Sequence, residues 1–176
     1  LRDGLVKVTV AHTDGYEAVL AVLGPGELLG EVAAFDGGIR VASATAISAC
    51  DVQFVPVEEF ETLMARHASI CSAIVRTLAA RLRAADAHRL SSAADGVPRR
   101  LARALLQLAQ DHGRVADEAI EIDLALTQDE LAGLVGASRD SVSKALKGWR
   151  DQGLVETRRR RIVLADPAAL SRQQRL

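Results

Sequence analysis

Aromatic residues are nearly absent: three Phe, one Tyr and one Trp among 176 residues. A core must therefore be assembled from Leu, Val, Ile and Ala, and an apolar content of 49% is enough to build one. Cysteine is scarce as well. Cys50 and Cys71 are too few for an iron–sulfur cluster, which takes four ligands, and both read as ordinary buried small residues. His12, His67, His88 and His112 show no ligand spacing, so neither haem nor a metal is expected. No window approaches 18 uninterrupted apolar residues, and no basic stretch followed by an apolar run opens the chain. The expectation is a soluble, cytoplasmic protein with no membrane partner. There is also no P-loop and no nucleophile–base pair at motif spacing, which argues against an enzyme.

The charge that is present is unevenly divided. Residues 1–95 hold 8 Lys+Arg and 12 Asp+Glu, a net of −4; residues 96–176 hold 14 and 11, a net of +3. The two sum to the −1 of the whole chain. A basic C-terminal half points weakly to nucleic acid.

Hydropathy patterning divides the chain further. Residues 5–13 alternate, with Val6, Val8 and Val10 against Lys7 and Thr9, which predicts a strand. Asp14-Gly15 is a hairpin-type turn pair, and a second strand is expected over 16–23. Gly24-Pro25-Gly26 and the Gly-rich loop at Asp36-Gly37-Gly38 break the chain. Further strands are expected over 41–47 and 52–57, the last carrying Pro56 as an edge or strand end. From residue 57 to about 90 there is no Gly or Pro, and one long helix is expected. Cys71, Val75, Leu78, Leu82 and Ala85 recur at spacings of 4, 3, 4 and 3 along a narrow seam flanked by Arg76, Arg81 and Arg83. Such a seam suits a second copy of the same helix. Residues 91–98 read as a hinge, and Pro98 suits the first turn of a helix running to His112.

The most informative segment follows a short strand at 120–124. Thr127 and Glu130 form a capping-box pair, which starts a helix at Gln128. Gly136 supplies a left-handed turn, and Ser138 caps a second helix, 139–151. Ala132 is placed at the crossing and Val142 in the core, completed by Leu131, Leu134, Val135, Ala145, Leu146 and Trp149. The second helix opens with Arg139, Asp140, Ser143 and Lys144, side chains suited to base edges and phosphates. Beyond it, 154–156 and 162–164 form a hairpin pattern around Arg158, Arg159, Arg160 and Arg161. A charge run is usually a solvated face; beside a helix pair of this kind it reads as a wing on a DNA backbone.

These residues resemble the cyclic AMP receptor protein / fumarate-nitrate regulator (Crp/Fnr) superfamily of bacterial transcription regulators. The resemblance rests on residues 127–146, TQDELAGLVGASRDSVSKAL, and on residues 25–31, PGELLGE. It implies an α+β fold with three parts: a partial effector-binding β-roll over 1–57, a long dimerisation helix with a hinge over 58–95, and a winged helix-turn-helix over 96–176. The chain begins at Leu1 and its only methionine is Met64, so the expectation is that N-terminal strands of the roll are missing. The implied partners are double-stranded DNA with a palindromic operator, a second copy of the chain through the long helix, and RNA polymerase. Thr127, Gln128, Ser138, Arg139, Asp140, Ser143, Lys144, Arg158, Arg159 and Arg160 become the implied DNA-binding set.

The resemblance also implies a cyclic-nucleotide pocket at Gly30, Glu31, Val32, Arg40, Val41, Ala85 and Asp86. Glu31 would accept from a ribose hydroxyl, and Arg40 would pair with the cyclic phosphate. The chain departs from the pattern at three places. Val41 stands where a Ser or Thr hydroxyl is usual. Ala85 stands where a polar side chain reaches the adenine, and Asp86 adds a negative charge there. Two readings follow: control by cAMP or another small effector, or a ligand-independent regulator with a degenerate pocket.

Overall fold

The computed structural model describes residues 1–11 and 17–174. The turn expected at Asp14-Gly15 and the first residue of the second expected strand, Tyr16, lie outside the described residues, as does His12.

The alternating N-terminal segment forms β1 (Val6–Ala11), which pairs antiparallel with β2 (Glu17–Leu23). A bulge between Val8 and Thr9 shifts the register. Val6, Val19, Leu23 and Thr9 are buried. Helix α1 (Glu31–Asp36) lies between the two expected breaks, where no element was expected, bracketed by Gly30 and Gly37, both left-handed at φ 81° and 65°. Strand β3 (Ser43–Ala46) then adds to the other side of β1, giving the order β2-β1-β3.

The expected strand at 52–57 does not form. Val52 and Phe54 are 60% and 80% exposed, and the nearest pairing is an isolated bridge between Asp3 and Asp51. Pro56 has no N–H to give a ladder; it instead caps helix α2 (Val57–Arg66). The expected single long helix is likewise two. Its break falls at His67, whose backbone is extended at φ −130° and ψ 91°, and α3 (Ala68–Ala94) follows. Nothing local demands the break. Tertiary packing does: α2 lies against α3 and meets α1 through an edge-to-face contact of Phe35 and Phe60, centroids 5.5 Å apart.

Along α3, Ile74 turns inward and is buried, whereas Val75, Leu82 and Leu90 are 58%, 61% and 73% exposed. Cys71 and Leu78 are half-buried and Ala85 is exposed. Neither cysteine is buried as expected; both are half-buried and unpaired.

The C-terminal half is built on α4 (Val97–His112), with Pro98 in its first turn. A sheet of order β4-β5-β7-β6 joins β4 (Arg114–Ala116) and β5 (Ala119–Ile122) to the wing strands. Helices α5 (Gln128–Val135) and α6 (Arg139–Asp151) begin and end where the capping signals place them. The wing is β6 (Val155–Arg158) and β7 (Arg161–Leu164). A last helix, α7 (Pro167–Gln173), packs on α4; its N-terminus is capped by Asp166, which accepts from Ala169 N at 2.7 Å. Leu101, Leu105, Leu131, Val142, Leu146, Leu164 and Leu170 lie at the centre of one core, each at most 2% exposed. No described helix is long and apolar enough to cross a membrane.

Candidate DNA interface and effector pocket

Two adjacent caps fix the geometry of the helix pair. The Thr127 hydroxyl accepts from Glu130 N at 3.1 Å, and the Glu130 carboxylate accepts from Thr127 N at 2.6 Å. Gly136 then turns the chain at φ 60°, and the Ser138 hydroxyl accepts from Ser141 N at 3.2 Å. Ala132, Val142 and Leu146 close the crossing of α5 and α6. Because this crossing is buried, α6 moves with α5 as one body.

The outer side of α6 is polar and open. Arg139 and Asp140 are exposed, Ser143 is half-buried one turn on, and Lys144 and Lys147 are exposed. Arg139 pairs with Asp129 at 3.6 Å and Lys144 with Asp140 at 2.7 Å, all four side chains about 70% exposed or more. Pairs this exposed are weak and give way to a stronger anion. Gln128 is half-buried and lines a hollow between α5, α6 and the wing with Thr157, Arg158 and Arg161.

The wing divides its arginines by role. Arg158 binds Glu156 at 2.7 Å, and Arg161 turns back to Glu121 at 3.0 Å. Arg159 and Arg160 form the two-residue turn, exposed and without an ion pair among the described residues. Arg160 holds a left-handed backbone, φ 62°, which favours glycine. Arg150 of α6 donates to Thr157 at 3.0 Å, joining recognition helix to wing. The result is an open surface rich in Arg and Lys, with α6 on it and the wing hairpin beside it.

Behind this surface, Arg100 donates to Asp95 O and to Gly136 O, both at 3.0 Å, so the hinge backbone is tied to the turn between α5 and α6. Asp95 itself receives Arg99 and Arg103, each at 2.8 Å, and these hydrogen bonds hold its carboxyl below the ordinary value.

The expected effector residues divide into two groups. Glu31 is 6% exposed, and its carboxylate is bound by Arg81 of α3, which also donates to Leu28 O at 2.9 Å. Arg81 was seen in the sequence only as a flank of the seam; its place over Glu31 depends on a contact 50 residues away. The Arg40 guanidinium lies over Gly30 so closely that a Cβ there would collide with it. Arg40 is exposed and forms no ion pair among the described residues. By contrast, Val32 and Val41 are 56% and 73% exposed. Ala85 and Asp86 lie on the open side of α3, where Asp86 pairs with Arg89 at 3.4 Å.

Comparison with known proteins agrees with this architecture. Residues 99–173 match the Crp-like helix-turn-helix domain and residues 1–67 the cyclic nucleotide-binding domain. The chain is 34% identical over 173 residues to the CRP-like cAMP-activated global transcriptional regulator of Mycobacterium tuberculosis, covering 98% of this chain and 77% of that protein. A CRP-family transcriptional regulator from Thermus thermophilus superposes with a TM-score of 0.82 at 29% identity, over 100% of this chain and 86% of that one. The c-di-GMP-responsive global regulator CLP of Xanthomonas campestris gives 0.78 at 26% identity, over 93% and 82%.

Fold, interface and these similarities together define a DNA-binding transcription regulator carrying a cyclic-nucleotide-binding-type domain. The chain belongs to the Crp/Fnr family.

Proposed function

We propose that this regulator reads a palindromic operator as a homodimer and is controlled by a cyclic nucleotide, cAMP. The effector domain is assigned to 1–57, the dimerisation helix and hinge to 58–95, and the DNA-binding domain to 96–176. The observation that carries the effector assignment is the buried Glu31 carboxylate, fixed by Arg81, beside an Arg40 guanidinium with no counter-ion among the described residues. Arg40 would take the cyclic phosphate through a charge-assisted contact, and Glu31 a ribose hydroxyl. Val41 offers no hydroxyl and Ala85 no hydrogen bond, and Asp86 is engaged by Arg89 on the open side of α3, so Glu31 and Arg40 carry the assignment.

Dimerisation through α3 is supported by Val75, Leu82 and Leu90, whose apolar side chains face outward on one chain. The DNA contacts are assigned to Arg139, Asp140, Ser143 and Lys144 in the groove. Thr127, Gln128, Ser138, Arg158, Arg159 and Arg160 take the phosphates on either side. A dimer so placed acts on cytoplasmic DNA and can present its remaining surface to RNA polymerase.

The test is operator titration at fixed salt, with and without cAMP, cGMP or c-di-GMP, for the wild type and Arg40→Ala. cAMP should tighten specific binding in the wild type and not in Arg40→Ala. Tight, specific binding indifferent to every nucleotide would instead establish the ligand-independent reading.

A further inference from the structure

Strand β2 and helix α5 lie against each other, joining the N-terminal sheet to the DNA-binding half. The contact has an apolar and an ionic part. Gly133 presents bare backbone to the strand: a Cβ there would stand 2.7 Å from the Glu17 carbonyl oxygen and 3.1 Å from Val19 N. Next to it, Lys7 reaches from β1 to the carboxylate of Glu130. The two side chains are only 14% and 15% exposed.

Lys7 is held between two carboxylates. Glu17 Oε2 lies 4.0 Å from its ammonium, and the other Glu17 oxygen accepts from the buried Thr9 hydroxyl at 2.7 Å. Glu130 uses its second oxygen to close the α5 capping box. One ammonium therefore separates a carboxylate of the sheet from a carboxylate at the N-terminus of the helix-turn-helix. Without it, the largely covered Glu130 carboxylate would lose its counter-charge, while Glu17, half exposed, would leave a second negative charge on the neighbouring strand.

We propose that Lys7 is a positioning residue for operator binding: acting through Glu130, it fixes the orientation of the helix-turn-helix on the N-terminal sheet. Largely buried ion pairs add little net stability but are demanding in geometry, and losing one partner leaves a charge uncompensated. Glu130 is locked to the helix terminus by its cap, and α5 to α6 by their buried crossing, so a shift at Lys7 is carried to the recognition helix. The contact leaves Arg139, Lys144, Arg159 and Arg160 exposed; it orients the DNA face and does not cover it. Two such faces must meet major grooves about 34 Å apart on one side of the duplex, so orientation translates into affinity. The inference rests on the operator-binding reading above.

The experiment is titration of the tightest-binding palindromic duplex at several salt concentrations. It compares the wild-type chain with Lys7→Glu and Lys7→Arg. Lys7→Glu should lose at least tenfold in affinity with the slope of log K against log salt unchanged. Lys7→Arg, which keeps the positive charge, should retain most of the affinity. A fall of about one in the salt slope would mean that Lys7 is a phosphate contact and would overturn the proposal. So would unchanged affinity in Lys7→Glu. Amide exchange without DNA decides the contact independently: β2 should lose protection in Lys7→Glu, and full protection would overturn the proposal even if no duplex tested binds the wild type.

Discussion

Gly133→Ala is a substitution whose sign differs between the helix and its surroundings. Within α5, replacing a glycine by alanine favours the helix by about 1 kcal/mol. Against β2 the new methyl meets backbone, the Glu17 carbonyl oxygen at 2.7 Å and Val19 N at 3.1 Å, and neither can rotate away. The helix cannot retreat either, because Leu131 and Val135 on its other faces are 2% and 1% exposed in the core. Overpacking of this kind costs about 1–3 kcal/mol. The net effect is a loss of up to about 2 kcal/mol, the difference between those two ranges. For a chain of this size that lowers Tm by several degrees, at roughly 2–4 °C per kcal/mol. The location of the loss matters more than its size, and hydrogen exchange by mass spectrometry reads it. The amides of β2 should exchange faster, while those of α5 stay protected or gain protection. A raised Tm with β2 protection intact would refute the close approach of helix and strand.

The recognition helix and the titration of the domain contact give two more predictions. Arg139→Ala removes a side chain held only by an exposed pair with Asp129; specific binding should weaken by about 1–3 kcal/mol with relaxed base preference, and unchanged operator discrimination would sink its assignment. For pH, burial pushes Glu130 up, but hydrogen bonds from Lys7 and Thr127 outweigh it and hold the carboxyl below its ordinary 4.5; the Glu130 hydrogen bond raises Lys7 above 10.5. The lowered carboxyl stabilises above pH 4.5 and loses its contribution as pH falls through the depressed value. The raised ammonium stabilises below pH 10.5 and loses its contribution as pH rises past the raised value. The contribution of this pair to the urea midpoint is therefore constant between these limits, and Glu130→Gln, which keeps a capping-box side chain, should have a shallower acid limb; an identical acid limb would show that Glu130 is not held down by Lys7.

The helix-turn-helix was legible to the residue because its signals are local and agree with one another. Thr127 and Glu130 cap, Gly136 turns and Ser138 caps again within twelve residues, and the structure makes each of those bonds. The wing was legible as a charge run, but not the division within it: Arg158 and Arg161 are drawn back by Glu156 and Glu121, while Arg159 and Arg160 stand exposed at the turn. Where local signals misled, tertiary context had overruled them. Val52 and Phe54 alternate like a strand but find no neighbouring strand, and an unpaired strand does not persist. His67 breaks a helix that carries no Gly or Pro, because α2 folds back on α3 and α1. Gly37, part of an expected Gly-rich loop, is also the C-cap of the short helix Glu31–Asp36, which is too brief to show a period of its own.

What joins the two halves was legible nowhere, and the reason is physical. Lys7 and Glu130 are 123 residues apart, and each has a sufficient local explanation: a polar position in an alternating strand, and the third residue of a capping box. Arg81 had one too, as a flank of the α3 seam. Periodicity reports which face of an element is apolar; it carries nothing about which element that face will meet. A charged residue on such a face is ambiguous between solvent and a distant counter-charge until the chain is folded. In this chain both Lys7 and Arg81 resolve to the counter-charge, one at Glu130 and one at Glu31. Each spans a boundary between parts that the sequence had already separated, so an effector that altered either pair would be altering a contact between domains and not within one.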